Sequence, residues 1–291
     1  MVSRKVLIVG HGYVGRALGR LLLSRGCSVV AASREPGAGG LYPEFAVDVS
    51  DRESVSRLHR DIPSPDVIVH CASSGGGGAE TYRALFLDGL SYVGEIFPQI
   101  PVIFTSSSSV YGQTDGSVVD ESSETSPDRE TSRLLCEAEA IARGGGGIAL
   151  RLAGIYGPGR SVHLKKLFEN TATIETGEVS RYLNQIHRDD AAGAIAHLIL
   201  QGMTDHRGGL LNVVDDTPLT QRQCYEALCS LFHLPLPPEA PPEKNRKRAW
   251  TNKIVSNAAL RATGWAPLYP SFLDAVLNDP DLVPSIRGFG D

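Results

Sequence analysis

The chain has 291 residues and a formal net charge of −5, with 42% hydrophobic and 21% charged residues. That balance belongs to an ordinary globular protein with one large core or two modest ones, and its sign argues against a broad nucleic-acid surface while leaving room for a local anion site. Five cysteines without a CxxC pair, and no apolar run approaching a membrane span or a signal peptide, predict a cytoplasmic protein with reduced thiols, no metal site and no membrane partner.

The first element is the one around which the others are arranged. Val6 to Val9 is a short apolar strand, followed by Gly10-x-Gly12-x-x-Gly15 and a helix whose Leu18, Leu21 and Leu22 recur at steps of three and four until Gly26. Each glycine has its own task in such a motif. Gly10 turns the chain off the strand, Gly12 keeps side-chain atoms away from an approaching diphosphate, and Gly15 lets the helix pack on the strand. The unpaired N–H groups and dipole of that helix then face the phosphates, so a dinucleotide site is expected.

Ser28 to Arg34 reads as the second strand. A carboxylate at its end would bind the ribose hydroxyls of NAD and repel a 2′-phosphate, whereas Ser33-Arg34 offers a guanidinium that can fork onto one. NADP is therefore the expected cofactor, with NAD the alternative. Glu44 to Val49 is a third strand and 51–61 a helix. Asp66 to Ala72 is a strongly apolar fourth strand that runs into Ser73, Ser74 and four glycines.

A long helix is predicted over 80–97, ended by Pro98, and Val102 to Ser106 is a fifth strand opening into a serine-rich segment. Ser126-Pro127 reads as a helix cap with proline at the first position, the helix running to about Arg143. Ile148 to Leu152 is a sixth strand. Strands alternating with helices in this way specify an α/β fold, a Rossmann-type doubly wound parallel sheet with ligands at the carboxyl ends of its strands.

Beyond residue 152 the alternation loosens. A turn at 156–160, a helix from Asp190 to Gln201 capped by Asp189, a strand from Leu210 to Val214 and a helix from Gln221 to Phe232 are expected. A proline-rich basic loop at 235–247 and two short helices near 257–263 and 271–278 complete the chain. The division expected is 1–152 plus about 185–214 for the dinucleotide domain, and 153–184 plus 215–291 for a smaller substrate lobe.

Six segments carry a resemblance when taken in order. They are Gly10 to Gly15, His70-Cys71-Ala72, Ser106 to Gly112, Asp120-Glu121, Arg151 to Arg160, and Ile186 to Asp190. Together they resemble the extended short-chain dehydrogenase/reductase superfamily, also called the NAD-dependent epimerase/dehydratases, over roughly residues 4–215. The resemblance implies a Rossmann domain, a bound nicotinamide cofactor, a C-terminal substrate domain for a small molecule, and often a homodimer. It implies that Gly10, Gly12, Tyr13, Val14 and Gly15 hold the diphosphate, Asp48 and Val49 meet the adenine, Cys71, Ala72 and Ser73 lie on the ribose side, and Ala153 to Tyr156 meet the nicotinamide. Ser107 matches the family's active-site serine.

The departures bear on chemistry. The family's acid/base is a tyrosine with a lysine four residues later on one helix face, whose charge lowers the phenol's pKa. Counting from the Glu-x-Glu at 137–139, those places hold Thr131 and Leu135, and Asp88-Gly89-Leu90 stands where an asparagine-containing segment is usual. This is similar to an atypical branch of the superfamily. An aliphatic hydroxyl cannot ionise as a phenol does, and Arg133 lies on another helix face.

Tyr111, Asp88, and His187 with Asp189 are the other candidate acids, each with a packing role as its alternative, and Lys244, Arg246, Lys247 and Arg248 are candidate anion ligands or a solvated face. Three functions fit. One is an NADP-linked oxidoreductase acting on an imine, carbonyl or activated double bond; another is a nucleotide-sugar epimerase or dehydratase; the third is a non-catalytic NADP-binding sensor or docking module.

Overall fold

The computed structural model describes residues 3–37, 40–125, 129–177, 180–202, 206–242 and 250–288. Seven strands form its main sheet: β1 (Lys5–Val9), β2 (Ser28–Ser33), β3 (Glu44–Ala46), β4 (Val67–His70), β5 (Val102–Ser107), β6 (Ile148–Leu152) and β7 (Leu210–Val213). Their order is β7-β6-β5-β4-β1-β2-β3. The five pairings from β6 across to β3 are parallel. At the β7 edge the N–H of Ala149 reaches the carbonyl of Gly209 and that of Ala153 reaches Val213, partners that advance together as parallel strands do. The strand order reverses between β1 and β4, which opens a crevice at their carboxyl ends. Both strands are continuous apolar runs because helices cover the sheet on both faces.

Four helical segments of the dinucleotide half follow the sequence. Helix α1 (Tyr13–Ser24) buries Val14, Leu18 and Leu22. Helix α2 (Arg52–Asp61) begins at Asp51, whose side chain accepts the N–H of Glu53. The helix expected over 80–97 is instead α3 (Ala79–Tyr82), a wider π turn (Arg83–Asp88) and α4 (Gly89–Ile96). One extra residue in a turn leaves the 3.6-residue apolar pattern nearly intact, so periodicity does not report it. The third strand stops at Ala46 rather than Val49 because Asp48 turns the chain, its Oδ1 accepting the N–H and the hydroxyl of Ser50. Helix α5 spans Glu130–Gly144, and the Ser126-Pro127 start lies outside the described residues.

The chain divides into two compact units. The first holds 1–110, 126–152 and 191–211, the second 111–125, 153–190 and 212–291. The sequence-based division placed 111–125, 185–190 and 212–214 with the sheet. Strand pairing explains much of the difference. Val118–Val119 pairs with Ile254–Val255, and Gln185–His187 with Gly154–Tyr156, so both segments are bonded into the second unit.

That unit has its own core, built from α6 (Val162–Phe168), α8 (Gln221–Phe232) and α10 (Phe272–Asn278) around Tyr156, Leu164, Tyr225 and Phe272. Between them in sequence, α7 spans Arg188–Gln201, and α9 is Ala258–Ala262. Since α7 starts two residues early, Asp189 lies in its first turn and bonds Arg188 instead of capping it. A last helix, α11 (Leu282–Arg287), follows α10. No helix among the described residues is long and apolar enough to cross a membrane.

Asp215 is buried in the second unit, and its Oδ1 has no hydrogen-bond partner. Burial, then the charges of Asp216 and Asp190, push its carboxyl well above the ordinary range; burial likewise raises Asp190 to about 6. Above about pH 4 the unfolded chain has released protons that the folded unit keeps, so stability falls as pH rises from there. Asp215→Asn is expected to raise the melting temperature at pH 8 by about 2 °C or more and to leave it unchanged near pH 4. Thermal melts across that range check the sign.

Candidate functional site

The three glycines of the loop after β1 have distinct surroundings. Gly10 has φ +97°, and a Cβ there would lie 2.2 Å from the backbone nitrogen of Ala72. At Gly15 a Cβ would meet the carbonyl oxygen of Gly10 at 2.4 Å. Both are glycines for internal reasons. Around Gly12 no atom lies within 4 Å of the position a Cβ would take. Packing makes no demand for glycine at that point, so the bare space suits a ligand's approach.

Directly behind it, α1 starts with Gly12 at its N-cap, with no side-chain cap and no acidic residue in its first turn. A twelve-residue helix thus presents its first-turn N–H groups and the positive end of its dipole beside that space. Tyr13 and Val14 occupy its first turn, half-buried and buried.

Beneath the loop, the thiol of Cys71 donates to the carbonyl of Gly10 at 3.1 Å, and burial pushes that thiol up to about 12, so it stays protonated and packs. Ala72 follows, and Ser73 accepts the N–H of Gly75. The first unit also holds a pocket of about 280 Å³ lined by Arg34, Asp48, Ser50, Thr81, Ala84 and Leu85, among others. Its size and mixed lining suit an adenosine. Val49 is buried and packs against Gly89 at the start of α4.

One carboxylate was missed by sequence reasoning. Strand β3 delivers Glu44 beside Ser33, whose hydroxyl donates to it at 2.8 Å. Its signal was a lone acid opening a strand, Pro43-Glu44-Phe45, three places before an ordinary strand end.

A second missed feature fixes the chemistry of α5. Glu139 is buried and receives the Nε of Arg151 at 3.0 Å, its Nη2 at 2.7 Å and the hydroxyl of Ser106 at 2.6 Å. This bidentate pair ties α5 to β5 and β6. It sets which helix positions face the sheet: Leu135, four residues earlier, is buried in the apolar layer with Leu134 and Ala138. Thr131, eight residues before Glu139, is half-buried in the first turn, and Arg133 points to solvent. Leu135 thus supplies no cation to Thr131.

The remaining candidates separate by environment. Ser107 ends β5 half-buried, its hydroxyl accepting the N–H of Ser109. Asp88 is half-buried at the end of the π turn. In the second unit Tyr111 is wholly buried, its hydroxyl bonding the carbonyl of Asp120 and Oδ1 of Asn212. It is a packed tyrosine rather than the acid considered above. His187 is also corrected. The ring is fully buried, Nδ1 accepts the N–H of Asp189, and Nε2 bonds Oδ2 of Asp279 at 3.0 Å.

Asp279, 92 residues away, is thus the carboxylate at hydrogen-bond distance, while the Asp189 carboxylate lies 4.0 Å from Nδ1. Burial lowers the His187 pKa despite those two carboxylates, which keeps the imidazole neutral inside the core. Ala153 and Tyr156 are buried in this unit as well. Lys253, unremarked in the sequence, is buried with its Nζ donating to the Tyr111 carbonyl at 2.7 Å, and burial lowers the amine to about 8. Lys244, Arg246, Lys247 and Arg248 lie outside the described residues.

The model of the NAD dependent epimerase/dehydratase family matches residues 6–213. The chain is 30% identical over 285 residues to Protein YeeZ of Escherichia coli (strain K12), covering 92% of this chain and 97% of that one. Among solved structures, a protein of Methylobacillus flagellatus provisionally described as an NAD-dependent epimerase/dehydratase is 27% identical with a TM-score of 0.77, covering 98% of this chain and all 100% of that one. The UDP-glucose 4-epimerase of Thermus thermophilus, solved in complex with NAD, has a TM-score of 0.77 at 20% identity, covering 98% and 99% of the two chains. At that identity the likeness concerns the fold.

The two glycines give opposite expectations. Gly12→Ala meets open space, so the fold should keep its melting temperature while dinucleotide affinity drops by about tenfold or more, because a methyl group occupies the diphosphate's approach. Gly15→Ala drives a methyl into the Gly10 carbonyl and should cost about 1–3 kcal/mol of stability. Calorimetry and fluorescence titration with NADH and NADPH distinguish the two.

Proposed function

Because the chain belongs to the NAD-dependent epimerase/dehydratase family, we propose that it is an NAD(P)-dependent oxidoreductase, with NADP preferred, acting on a small molecule whose acceptor carbon is already activated. The observation that carries this is the open space at Gly12 in front of a helix with no side-chain cap, in a unit that also holds an adenosine-sized pocket. Backbone N–H groups of α1 and bare glycine hold the diphosphate. Arg34 lines the pocket, and no ion pair among the described residues involves it, so its fork is available to a 2′-phosphate.

A bound nicotinamide supplies the hydride. The chain's own contribution to proton transfer is small: Thr131 relays or positions a proton, Ser107 bonds an acceptor oxygen or nitrogen, and no lysine lowers any pKa at 135. Such a set suits a protonated imine or an activated double bond, which takes hydride with little acid assistance. A nucleotide-sugar epimerase or dehydratase fits the family equally well. It has to begin by removing a proton from a sugar hydroxyl, which is the step that Thr131 and Leu135 serve poorly.

Purified protein titrated with NADPH and NADH, then mixed by stopped flow with imines, enones, carbonyls and UDP-glucose, separates these readings. NADPH should bind more tightly than NADH, and an imine or enone should oxidise it above background. Cofactor reduction by UDP-glucose would favour the epimerase, and binding without turnover across the panel would favour a sensor. Failure of both cofactors to bind at about millimolar concentration overturns the dinucleotide site itself. Arg34→Ala is expected to weaken NADPH about tenfold and leave NADH within about twofold, one charge-assisted hydrogen bond being worth about that ratio.

A further inference from the structure

Glu44 makes more contacts than a strand-edge carboxylate needs. Its side chain is 6% exposed, and Oε1 lies 2.9 Å from Nδ1 of His11 while accepting the Ser33 hydroxyl. Oε2 accepts the N–H of Gly37 at 3.1 Å. On the far side of His11, Nε2 is 2.7 Å from the hydroxyl of Tyr42. The Tyr42 ring meets the imidazole edge-on at 5.4 Å and lies on α1, where a Cβ at Gly19 would strike its hydroxyl at 2.0 Å. Burial alone would raise the Glu44 carboxyl, but the bonds from Ser33, Gly37 and His11, with the charge of His11, hold it below the ordinary carboxylate range.

One buried anion thus joins three places: the glycine loop at His11, the end of β2 at Ser33, and the following loop at Gly37. Arg34 lies between the last two. A carboxylate so near would ordinarily either pair with that guanidinium or repel a 2′-phosphate. Here both oxygens are already occupied, and burial keeps them from a ribose.

We propose that Glu44 is a positioning residue for the adenosine 2′-phosphate: it pins the chain on both sides of Arg34, at Ser33 and Gly37, and His11 locks that pin to the glycine loop. The guanidinium that meets the 2′-phosphate is then held on a rigid support. The inference rests on reading this unit as an NADP site.

The test is a double-mutant cycle between Glu44→Gln and Arg34→Ala, read as dissociation constants for NADPH and NADH. Glu44→Gln should weaken NADPH about tenfold with NADH held within about twofold, and should add less than about twofold once Arg34 is alanine. If Glu44→Gln fails to fold, Ser33→Ala loosens one tie and should weaken NADPH alone by a few-fold. Equal weakening of both cofactors, an additive effect in the Arg34→Ala background, or tighter NADPH binding by Glu44→Gln would each overturn the proposal. Should the unaltered protein bind neither cofactor, the dinucleotide reading falls and the proposal with it. Should it bind both while the cycle shows no coupling, only the role of Glu44 falls.

Discussion

A buried ion pair, Glu139 with Arg151, governs what chemistry the dinucleotide unit can perform. Both side chains are almost wholly excluded from water, and the pair survives because the guanidinium meets both carboxylate oxygens and Ser106 adds a further bond. Removing one partner would strand a buried charge at a cost of about 3–5 kcal/mol. Holding α5 against β5 and β6, it makes the helix register a matter of geometry rather than of alignment. Position 135 then faces the apolar layer, where a leucine packs, and position 131 carries a hydroxyl that does not ionise near neutrality. Position 135 is therefore part of the core and leaves no half-satisfied polar site there.

The same unit shows two kinds of glycine and two kinds of acid. Gly10 and Gly15 are required by neighbouring backbone, Gly12 only by something outside the chain. Asp48 turns its own loop by binding Ser50, whereas Glu44 is drawn inward to hold other segments together. Both oxygens of Glu44 are taken, by Ser33 and by Gly37, whereas Asp48 lines the pocket that Arg34 also lines.

In the second unit, groups that look reactive in the sequence are packed. Tyr111, Tyr156 and His187 are buried, and each makes hydrogen bonds that serve the fold. Burial drives Asp215 towards its neutral form and the Lys253 amine downward, because the interior penalises a charge more than a single hydrogen bond repays. These groups give the lobe a stability that depends on pH.

Much of this was legible in the residues. The apolar runs of β1, β4, β5 and β6, the spacing of Gly10, Gly12 and Gly15, and the apolar stripe of α1 determine a parallel Rossmann sheet, since period and turn chemistry are local properties of the chain. The family segments from Gly10 to Asp190 led to the same fold, and counting back from Glu139 located Thr131 and Leu135.

What the tertiary structure decided was pairing at a distance. The Asp279 carboxylate bonds His187, Glu44 stands beside Ser33, and Val118–Val119 joins Ile254–Val255. The widened turn at Arg83–Asp88 is likewise set by packing. Periodicity reports which face of an element is apolar; it carries no information on which buried donor meets which acceptor, and that is settled only when the elements come together in space.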